Sequence, residues 1–444
     1  MQKTTVSFWV GFCTILLGGC RGQSKPDFGR WYRFDALADE KSQPQTGSQL
    51  VQKCPGPVNR TPTTTFDSLK KSWLLSWTVS GVNCKSLGPH WNAFTEVCYR
   101  ENFQPCTDQL WIQGVKDNAN MAAVDSVHAS GVMRSHGCLR TLPTDYPCYM
   151  KKKGFDFLPL DRLQNNFVNA GTPVYISHYS KDRAWVMILD EASKASGFVK
   201  TSTVILVDQE NSVAQSKHLP IAVFFKDHEP LYDHKRQCVG YSRLGQIALF
   251  TAETEKDVEI LWPKQMDSNH SPWCRVRVSK TIAGTKPLAF SSENIAHVLN
   301  QLLGKPYGWG GTLGNRDCSS MMQDYFRVFG YALPRHSKGQ MEKGGEIIDL
   351  SGKSWKEKER LIIEKGIPYR TILWKPGHIA LYVGSDQGRV LMAQAILSAG
   401  FVKDGYEGSH IIGKSLVSTL YFDAGIPGLQ HSFIDKLAAM VLVK

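Results

Sequence analysis

The sequence PYGWGG at residues 306–311, followed by DCSS at residues 317–320, decides how this chain is interpreted. A glycine-rich loop ends here and a pattern typical of a helix begins, with Cys318 at the junction. A helix N-terminus carries partial positive charge, which lowers the pKa of a thiol and favours the reactive thiolate. We therefore interpret Cys318 as a candidate nucleophile, with a buried structural cysteine as the alternative. The glycines indicate an open loop that lets a substrate reach the thiol.

A histidine that could act as the base heads an alternating strand, HIALYVG at residues 378–384. A second strand at 390–397 follows the turn SDQG, and pairing across this turn places Gln394 diagonal to His378 on the same face. A glutamine carbonyl there could accept the imidazole N–H and fix the tautomer. We predict Cys318 as nucleophile, His378 as general base and acid, and Gln394 as orienting residue. The backbone N–H of Cys318 is the natural oxyanion donor.

These segments resemble the NlpC/P60 family of papain-like cell-wall peptidases. The resemblance rests on the loop at 306–311, the Asp-Cys-Ser segment, LPRHS at 333–337 and GHIALY at 377–382, and it covers about residues 290–425. It implies an α+β fold, with a papain-like catalytic domain preceded by two small SH3-like β-barrels and a mixed N-terminal segment. It also implies cleavage of the γ-D-glutamyl bond to a diamino acid in peptidoglycan stem peptides. Gln394 departs from the histidine that is most common at the third catalytic position.

The resemblance further implies which residues bind the substrate. In family members with several barrels, the substrate carries a free N-terminal L-alanine, whose amine lies near the loop tyrosine, the aspartate before the nucleophile and nearby serines. Transferred to this chain, the predicted substrate-binding residues are Tyr307, Trp309, Asp317, Ser319 and Ser337. Opposite charge suits Asp317 to an ammonium group, although this residue could instead, or also, cap the helix that follows it.

The chain divides into five predicted segments, and its 444 residues alone favour about three domains. Residues 1–20 read as a lipoprotein signal peptide and 21–130 as a tether and N-terminal stabilising segment. Short strand-like runs broken by Gly, Pro, Asp and Asn predict a first barrel at 131–210 and a second at 211–285. Residues 286–444 are the predicted catalytic domain.

The N-terminus is typical of an exported bacterial lipoprotein. An apolar stretch at 6–17 is too short to span a bilayer stably and ends in LGGC at 17–20, which resembles a lipobox. We predict lipid attachment at Cys20, with an ordinary cleaved secretory signal as the alternative. Because Arg21 follows, the anchor is expected in the outer membrane facing the periplasm of a Gram-negative cell, and otherwise at the cell surface.

Cysteine usage agrees with export. Eight cysteines from Cys54 to Cys274 form an even set that an oxidising compartment would allow to pair, which leaves Cys318 free. Neither Cys-x-x-Cys nor His-x3-His spacing occurs, and we expect no metal and no cofactor.

The charge balance and one decoy motif limit the partners. The net charge of +12 favours an anionic partner such as the cell wall, but no module that reads nucleic acid is present. GSHIIGKS at 408–415 fits the phosphate-loop pattern, yet the residues after it read as a strand where that motif requires a helix. We therefore expect neither nucleic acid nor nucleotide as a partner.

Three functions stay open. The first is a cysteine endopeptidase acting on peptidoglycan-derived peptides. The second is a catalytically silent cell-wall-binding lipoprotein that uses its SH3-like domains. The third retains the thiol chemistry but acts on another bond, as a wall amidase or an acyltransferase does.

Overall fold

The structure is a computed structural model of the chain. It describes residues 43–55, 66–73, 109–150, 161–190, 192–207, 219–264, 272–403, 406–424 and 432–444, with short strands at 32–33, 96–99 and 105–106. Cys20 and the predicted signal peptide lie outside the described residues. No helix within the described ranges is long and apolar enough to cross a membrane.

In the described part of the chain, three α-helices lie before residue 120 and five lie after residue 290. They are α1 (Gly47–Lys53), α2 (Asp67–Trp73), α3 (Gln109–Asn118), α4 (Ser292–Leu302), α5 (Cys318–Val328), α6 (Ser337–Lys343), α7 (Trp355–Lys365) and α8 (Phe433–Lys436). The strands are β1 (Tyr32–Arg33), β2 (Glu96–Tyr99), β3 (Pro105–Cys106), β4 (Ala129–Met133), β5 (Gly137–Arg140), β6 (Cys148–Met150), β7 (Gln164–Val168), β8 (Pro173–Tyr179), β9 (Trp185–Asp190), β10 (Ala195–Lys200), β11 (Val204–Val207), β12 (Ile221–Phe224), β13 (Pro230–Tyr232), β14 (Cys238–Tyr241), β15 (Ile247–Glu253), β16 (Asp257–Pro263), β17 (Trp273–Ser279), β18 (Ala283–Gly284), β19 (Gly345–Asp349), β20 (Thr371–Lys375), β21 (His378–Asp386), β22 (Arg389–Lys403), β23 (Tyr406–Thr419) and β24 (Ala439–Val443).

Two antiparallel sheets precede the last third of the chain. The first has seven strands in the order β11-β4-β8-β9-β10-β5-β7, and the second has five in the order β17-β16-β15-β12-β18. Val174, Ile176, Val186 and Ile188 pack together inside the first sheet because they recur at every second position of β8 and β9. Each sheet therefore encloses an apolar core of its own, as the alternating sequence pattern predicts.

The last third is built on a seven-stranded sheet in the order β1-β23-β22-β21-β20-β24-β19. β1 runs parallel to β23, and the remaining neighbours are antiparallel. Ile379 and Leu381 of β21 share a core with Tyr325 of α5, whereas Ala380 and Tyr382 face the core that contains α7 and α8. Both faces of β21 are thus covered, which confirms the predicted α+β fold and sets α5 against the strand that begins at His378.

Four of the eight cysteines between Cys54 and Cys274 lie in the described residues as free thiols. Cys54, Cys138, Cys238 and Cys274 are free thiols, so the pairing that an oxidising compartment would allow does not include these four. Cys54 Cβ lies 2.7 Å and Cys54 Sγ 3.0 Å from where a Gly384 side chain would begin, which makes Cys54 a packing residue between the N-terminal segment and β21.

Candidate active site

The nucleophile candidate is the first residue of α5. The Asp317 carboxylate accepts the backbone N–H of Ser320 at 2.9 Å, and the Ser320 hydroxyl accepts the backbone N–H of Asp317 at 2.9 Å. This reciprocal cap fixes where the helix begins. Cys318 therefore has its thiol at the positive end of the helix dipole, as the sequence pattern predicts.

The glycines of the preceding loop serve packing. Gly310 and Gly311 have φ of +56° and +84°, and a Cβ at these positions would lie 2.6 Å from the Gln164 carbonyl oxygen and 2.3 Å from Phe167 Cβ. Only glycine permits this backbone shape and this approach of β7. The expectation that the glycines leave an open loop above the thiol is therefore wrong, and Cys318 is 8% exposed.

The thiol is held in its neutral form in this closed setting. Burial and the neighbouring Asp317 carboxylate raise the pKa of Cys318 to about 12, although the Arg335 guanidinium and the backbone N–H groups of Ile379 and Ser319 act in the opposite direction. Ile379 immediately follows His378, so these contacts place the sulfur against the start of β21.

The predicted base and orienting residue form a direct hydrogen bond. His378 Nε2 lies 2.8 Å from Gln394 Oε1, and Gln394 Nε2 donates to Ser418 Oγ at 2.8 Å. Because Ser418 receives the amide N–H, the glutamine oxygen is the group that faces the imidazole. The proton therefore sits on Nε2 of His378, and Nδ1 stays available as a base.

A bulge gives Gln394 the correct face. The hairpin between β21 and β22 turns at Gln387 and Gly388, with Asp386 opposite Arg389, and a register shift follows before Leu381 meets Ala393. Without that shift, Gln394 would pair with Leu381 and point to the face opposite His378, since side chains alternate.

The imidazole is buried beside an aromatic ring and a cation. His378 is 8% exposed, and the edge of Phe433 meets it with ring centroids 6.0 Å apart. Burial and the charge of Lys375 lower the pKa of His378 to about 3, although the Gln394 hydrogen bond acts against this. The resting site therefore pairs a neutral thiol with a neutral imidazole.

Arg335 connects the helix start to the first sheet. Its guanidinium donates to the Asp317 carboxylate, to the Ser319 hydroxyl and, at 2.7 Å, to Asn166 Oδ1 in β7. All four side chains are buried, so the charge of Asp317 is neutralised within the protein. Sequence reasoning assigned no role to Arg335, although it lies in the LPRHS segment, and no local signal marks Asn166.

The other three predicted substrate-binding residues are Tyr307, Ser337 and Trp309, and all three are half-buried. Tyr307 is half-buried, and burial followed by the proximity of Cys318 and of the Asp317 carboxylate raises the pKa of its phenol, so the hydroxyl keeps its proton. Ser337, also half-buried, starts α6 two residues after Arg335. Trp309 is half-buried and its ring lies 5.8 Å from the Arg162 guanidinium carbon.

Comparison with known protein families matches two parts of the chain. Residues 304–402 match the NlpC/P60 family, and residues 147–200 match the SH3 domain of the SH3b1 type. The chain is a cysteine peptidase with an NlpC/P60 domain. A search of curated proteins gave no match.

Two solved structures are similar to this chain over different shares of its length. An NlpC/P60 endopeptidase from Photobacterium damselae subsp. piscicida is similar with a TM-score of 0.73 and 21% identity, over 90% of this chain and 97% of that one. An NlpC/P60 family protein from Bacillus cereus ATCC 10987 gives a TM-score of 0.47 and 15% identity, over 71% of this chain and 100% of that one. The first similarity shows that the fold extends upstream of the NlpC/P60 domain.

Two further features of the NlpC/P60 domain concern ligands. The phosphate-loop pattern at 408–415 lies within β23, and no helix follows it, so the phosphate-binding geometry is absent. In the described ranges, no three His, Cys, Asp or Glu side chains lie close enough together to hold a metal ion.

Proposed function

We propose that the protein hydrolyses the γ-D-glutamyl bond to a diamino acid in short peptidoglycan peptides that carry a free N-terminal L-alanine. The observation that supports this most is the His378–Gln394 hydrogen bond of 2.8 Å beside a thiol at the start of α5. An imidazole with a fixed tautomer and a helix-terminal thiol are the two groups that acyl transfer by cysteine requires. The net charge of +12 favours association with an anionic cell-wall polymer.

The proposed reaction proceeds through a thioester. His378 Nδ1 takes the thiol proton as the Cys318 sulfur attacks the γ-carbonyl carbon of D-glutamate, and the backbone N–H of Cys318 donates to the developing oxyanion. His378 then gives the proton to the nitrogen of the leaving diamino acid. Water, deprotonated by His378, attacks the thioester and releases the glutamyl γ-carboxylate.

Binding of the substrate amine falls mainly to Tyr307 and Ser337. Asp317 and Ser319 are already engaged by Arg335, so an ammonium group that reaches Asp317 must share the carboxylate with that guanidinium. The half-buried phenol of Tyr307 lies near the same carboxylate and can accept a hydrogen bond from the amine.

Turnover of L-Ala-γ-D-Glu-diaminopimelate tests the proposal. We expect the wild type to release free diaminopimelate, and Cys318→Ala to abolish this release. Cys274→Ala is the matched control, because Cys274 is a free, half-buried thiol in β17, and its loss should leave turnover unchanged. A folded wild type without turnover at any pH would contradict the peptidase activity and favour a silent wall-binding protein.

We further propose that the protein is exported and anchored by a lipid on Cys20. The support is the LGGC pattern at residues 17–20 after a short apolar stretch. Metabolic labelling with an alkyne fatty acid should mark the wild type and leave Cys20→Ala unmarked. Equal labelling of both proteins would contradict the anchor at this cysteine.

A further inference from the structure

The β20–β21 hairpin places a lysine directly opposite the catalytic histidine. Lys375 and His378 are paired residues of the ladder, joined by a turn in which Pro376 is followed by Gly377 at φ +80°. This order, with glycine in the left-handed region, is that of a type II turn. Paired residues point to the same face with Cβ atoms about 5 Å apart. One short turn therefore fixes both the imidazole and an ammonium group.

An aromatic ring stands beside both groups. Lys375 Nζ lies 6.0 Å from the centroid of Phe433, and the edge of that ring contacts His378. Phe433 is itself fixed, since its backbone N–H donates to both carboxylate oxygens of Asp423 at 2.9 Å. The ammonium is thus half-buried against an apolar surface that strengthens any electrostatic contact it makes.

Lys375 has no carboxylate partner in the described part of the chain. No Asp or Glu oxygen there lies within 4 Å of Lys375 Nζ. The Asp423 carboxylate attracts the ammonium group only from a longer distance. The adjoining residues 425–431 contain no Asp or Glu. A half-buried ammonium without an ion partner is unfavourable, and a ligand carboxylate would stabilise it.

We propose that Lys375 forms an anion subsite that binds a substrate carboxylate next to the scissile bond. The inference rests on the proposed function, because the γ-linked D-glutamyl residue keeps a free α-carboxylate close to the reacting carbonyl. The diamino acid can bring a second carboxylate on the other side of the bond. Lys375 therefore determines specificity for an acidic peptide and holds it against the Cys318–His378 pair.

Binding to the full chain carrying Cys318→Ala tests the subsite without depending on turnover. Calorimetry with L-Ala-γ-D-Glu-diaminopimelate should show binding about ten- to a hundredfold weaker when Lys375→Met is added, because one charge-assisted hydrogen bond is lost. Lys375→Arg should restore most of the affinity and shows that the fold is intact. Lys436→Met, which removes the nearby exposed lysine of α8, should leave the affinity unchanged.

Two altered peptides identify the carboxylate. One carries D-isoglutamine, in which the α-carboxylate is an amide, and the other carries lysine in place of diaminopimelate. If Lys375 binds a given carboxylate, the peptide that lacks it should bind Cys318→Ala more weakly than the parent peptide does. In the protein that also carries Lys375→Met, the same peptide and the parent peptide should then bind equally. Equal affinity with and without Lys375, additive losses for both peptides, or no binding of the parent peptide would overturn the inference. Wild-type turnover, measured separately, tests the proposed function itself.

Discussion

At the residue scale, the orienting glutamine is held from both ends. Its carbonyl faces His378 and its amide faces Ser418, and the side chain is fully buried. A neutral amide orients the imidazole through a hydrogen bond. Because it carries no negative charge, it stabilises the imidazolium that forms during attack only weakly. This makes Gln394 a positioning residue whose contribution is separable from that of the thiol.

Replacing Gln394 by alanine should therefore reduce turnover more than stability. We expect kcat to fall about a hundredfold, because the imidazole loses its fixed tautomer. The free energy of unfolding should fall by roughly 1–3 kcal/mol, the cost of leaving buried polar groups unpaired. Steady-state kinetics and urea unfolding measure the two effects. Ser418→Ala, which keeps the bond to His378, should cost less turnover, and unchanged kcat in Gln394→Ala would refute the role.

The pH dependence follows from the burial of His378. Burial, together with the charge of Lys375, lowers its pKa from 6.5 to about 3, so the base stays neutral in mild acid. We expect the acid limb of kcat/KM to lie well below pH 6. The unfolded chain binds a proton at this residue near pH 6.5 whereas the folded chain does not until about 3, so stability falls as the pH drops through this window.

A charge change tests this assignment. Gln394→Glu puts a carboxylate beside the imidazole, which raises the pKa of His378 and should move the acid limb to higher pH. Rates measured between about pH 4 and pH 8 in wild type and variant give both midpoints. A wild-type midpoint at 6.5 or above would show that His378 is not held neutral by burial.

At the element scale, strand β7 of the first sheet takes part in the active site. Gln164 Nε2 donates to the Gly310 carbonyl at 2.8 Å, and Asn166 accepts from Arg335 at 2.7 Å. One strand from the upstream domain thus contacts the loop before the nucleophile and the arginine that pairs with Asp317. The position of the catalytic helix depends on that strand as well as on its own sheet.

Asn166→Ala should consequently lower kcat by about tenfold, because a buried guanidinium loses one acceptor and Asp317 and Ser319 lose part of their support. Asn166→Asp keeps the acceptor and should retain activity. Asn165→Ala is the matched control, since Asn165 donates to Ser196 within the first sheet. Steady-state kinetics and thermal unfolding of each variant separate loss of activity from loss of stability. Equal losses of kcat in Asn165→Ala and Asn166→Ala would contradict the positioning role of Asn166.

Local sequence patterns were sufficient to predict two of the three proposed catalytic residues. Cys318 at a helix start and His378 at a strand start were predictable, because capping and alternation are local properties. The face of Gln394 depends on a bulge between Tyr382 and Gly384 that no local residue pattern marks. The contact of Asn166 with Arg335 joins residues 169 positions apart, so it exists only after the domains have packed.

At the scale of the whole molecule, a largely buried charge network joins the second sheet to α5. Asp227 accepts two hydrogen bonds from Arg316, at 2.7 and 2.9 Å, and Arg316 also donates to Asp324 at 2.7 Å. Arg243 pairs with Asp324 at 3.3 Å. Burial alone would raise the pKa of Asp227, but attraction to Arg316 outweighs it and lowers the pKa to about 2. The upstream domain is therefore bound to the helix that carries the nucleophile.

Removing one member of this network should destabilise the whole chain. Asp227→Ala leaves the Arg316 guanidinium buried without that partner, which we expect to cost roughly 3–5 kcal/mol. Glu229→Ala is the control, because its carboxylate lies 3.9 Å from Lys226 in an exposed pair that contributes at most about 1 kcal/mol. Urea unfolding compares the two variants. Similar small losses would mean that the domains do not depend on this network.

The fold class was predictable for the molecule, whereas its packing was not. Motif spacing indicated the NlpC/P60 domain and the SH3-like domain, and the matched ranges confirm them. The five domain boundaries and the roles of the substrate residues stay predictions. Which groups meet between domains, such as Asp227 with Arg316, follows from packing of surfaces that are distant in sequence.

The identity of the bond that is cut distinguishes the proposed γ-D-glutamyl peptidase from an amidase or an acyltransferase. Mass analysis of L-Ala-γ-D-Glu-diaminopimelate after incubation with the full chain should find L-Ala-γ-D-Glu and free diaminopimelate, with neither formed by Cys318→Ala. Release of L-alanine, transfer of the peptide to another acceptor, or an intact peptide with the wild type would contradict hydrolysis at the γ-D-glutamyl bond.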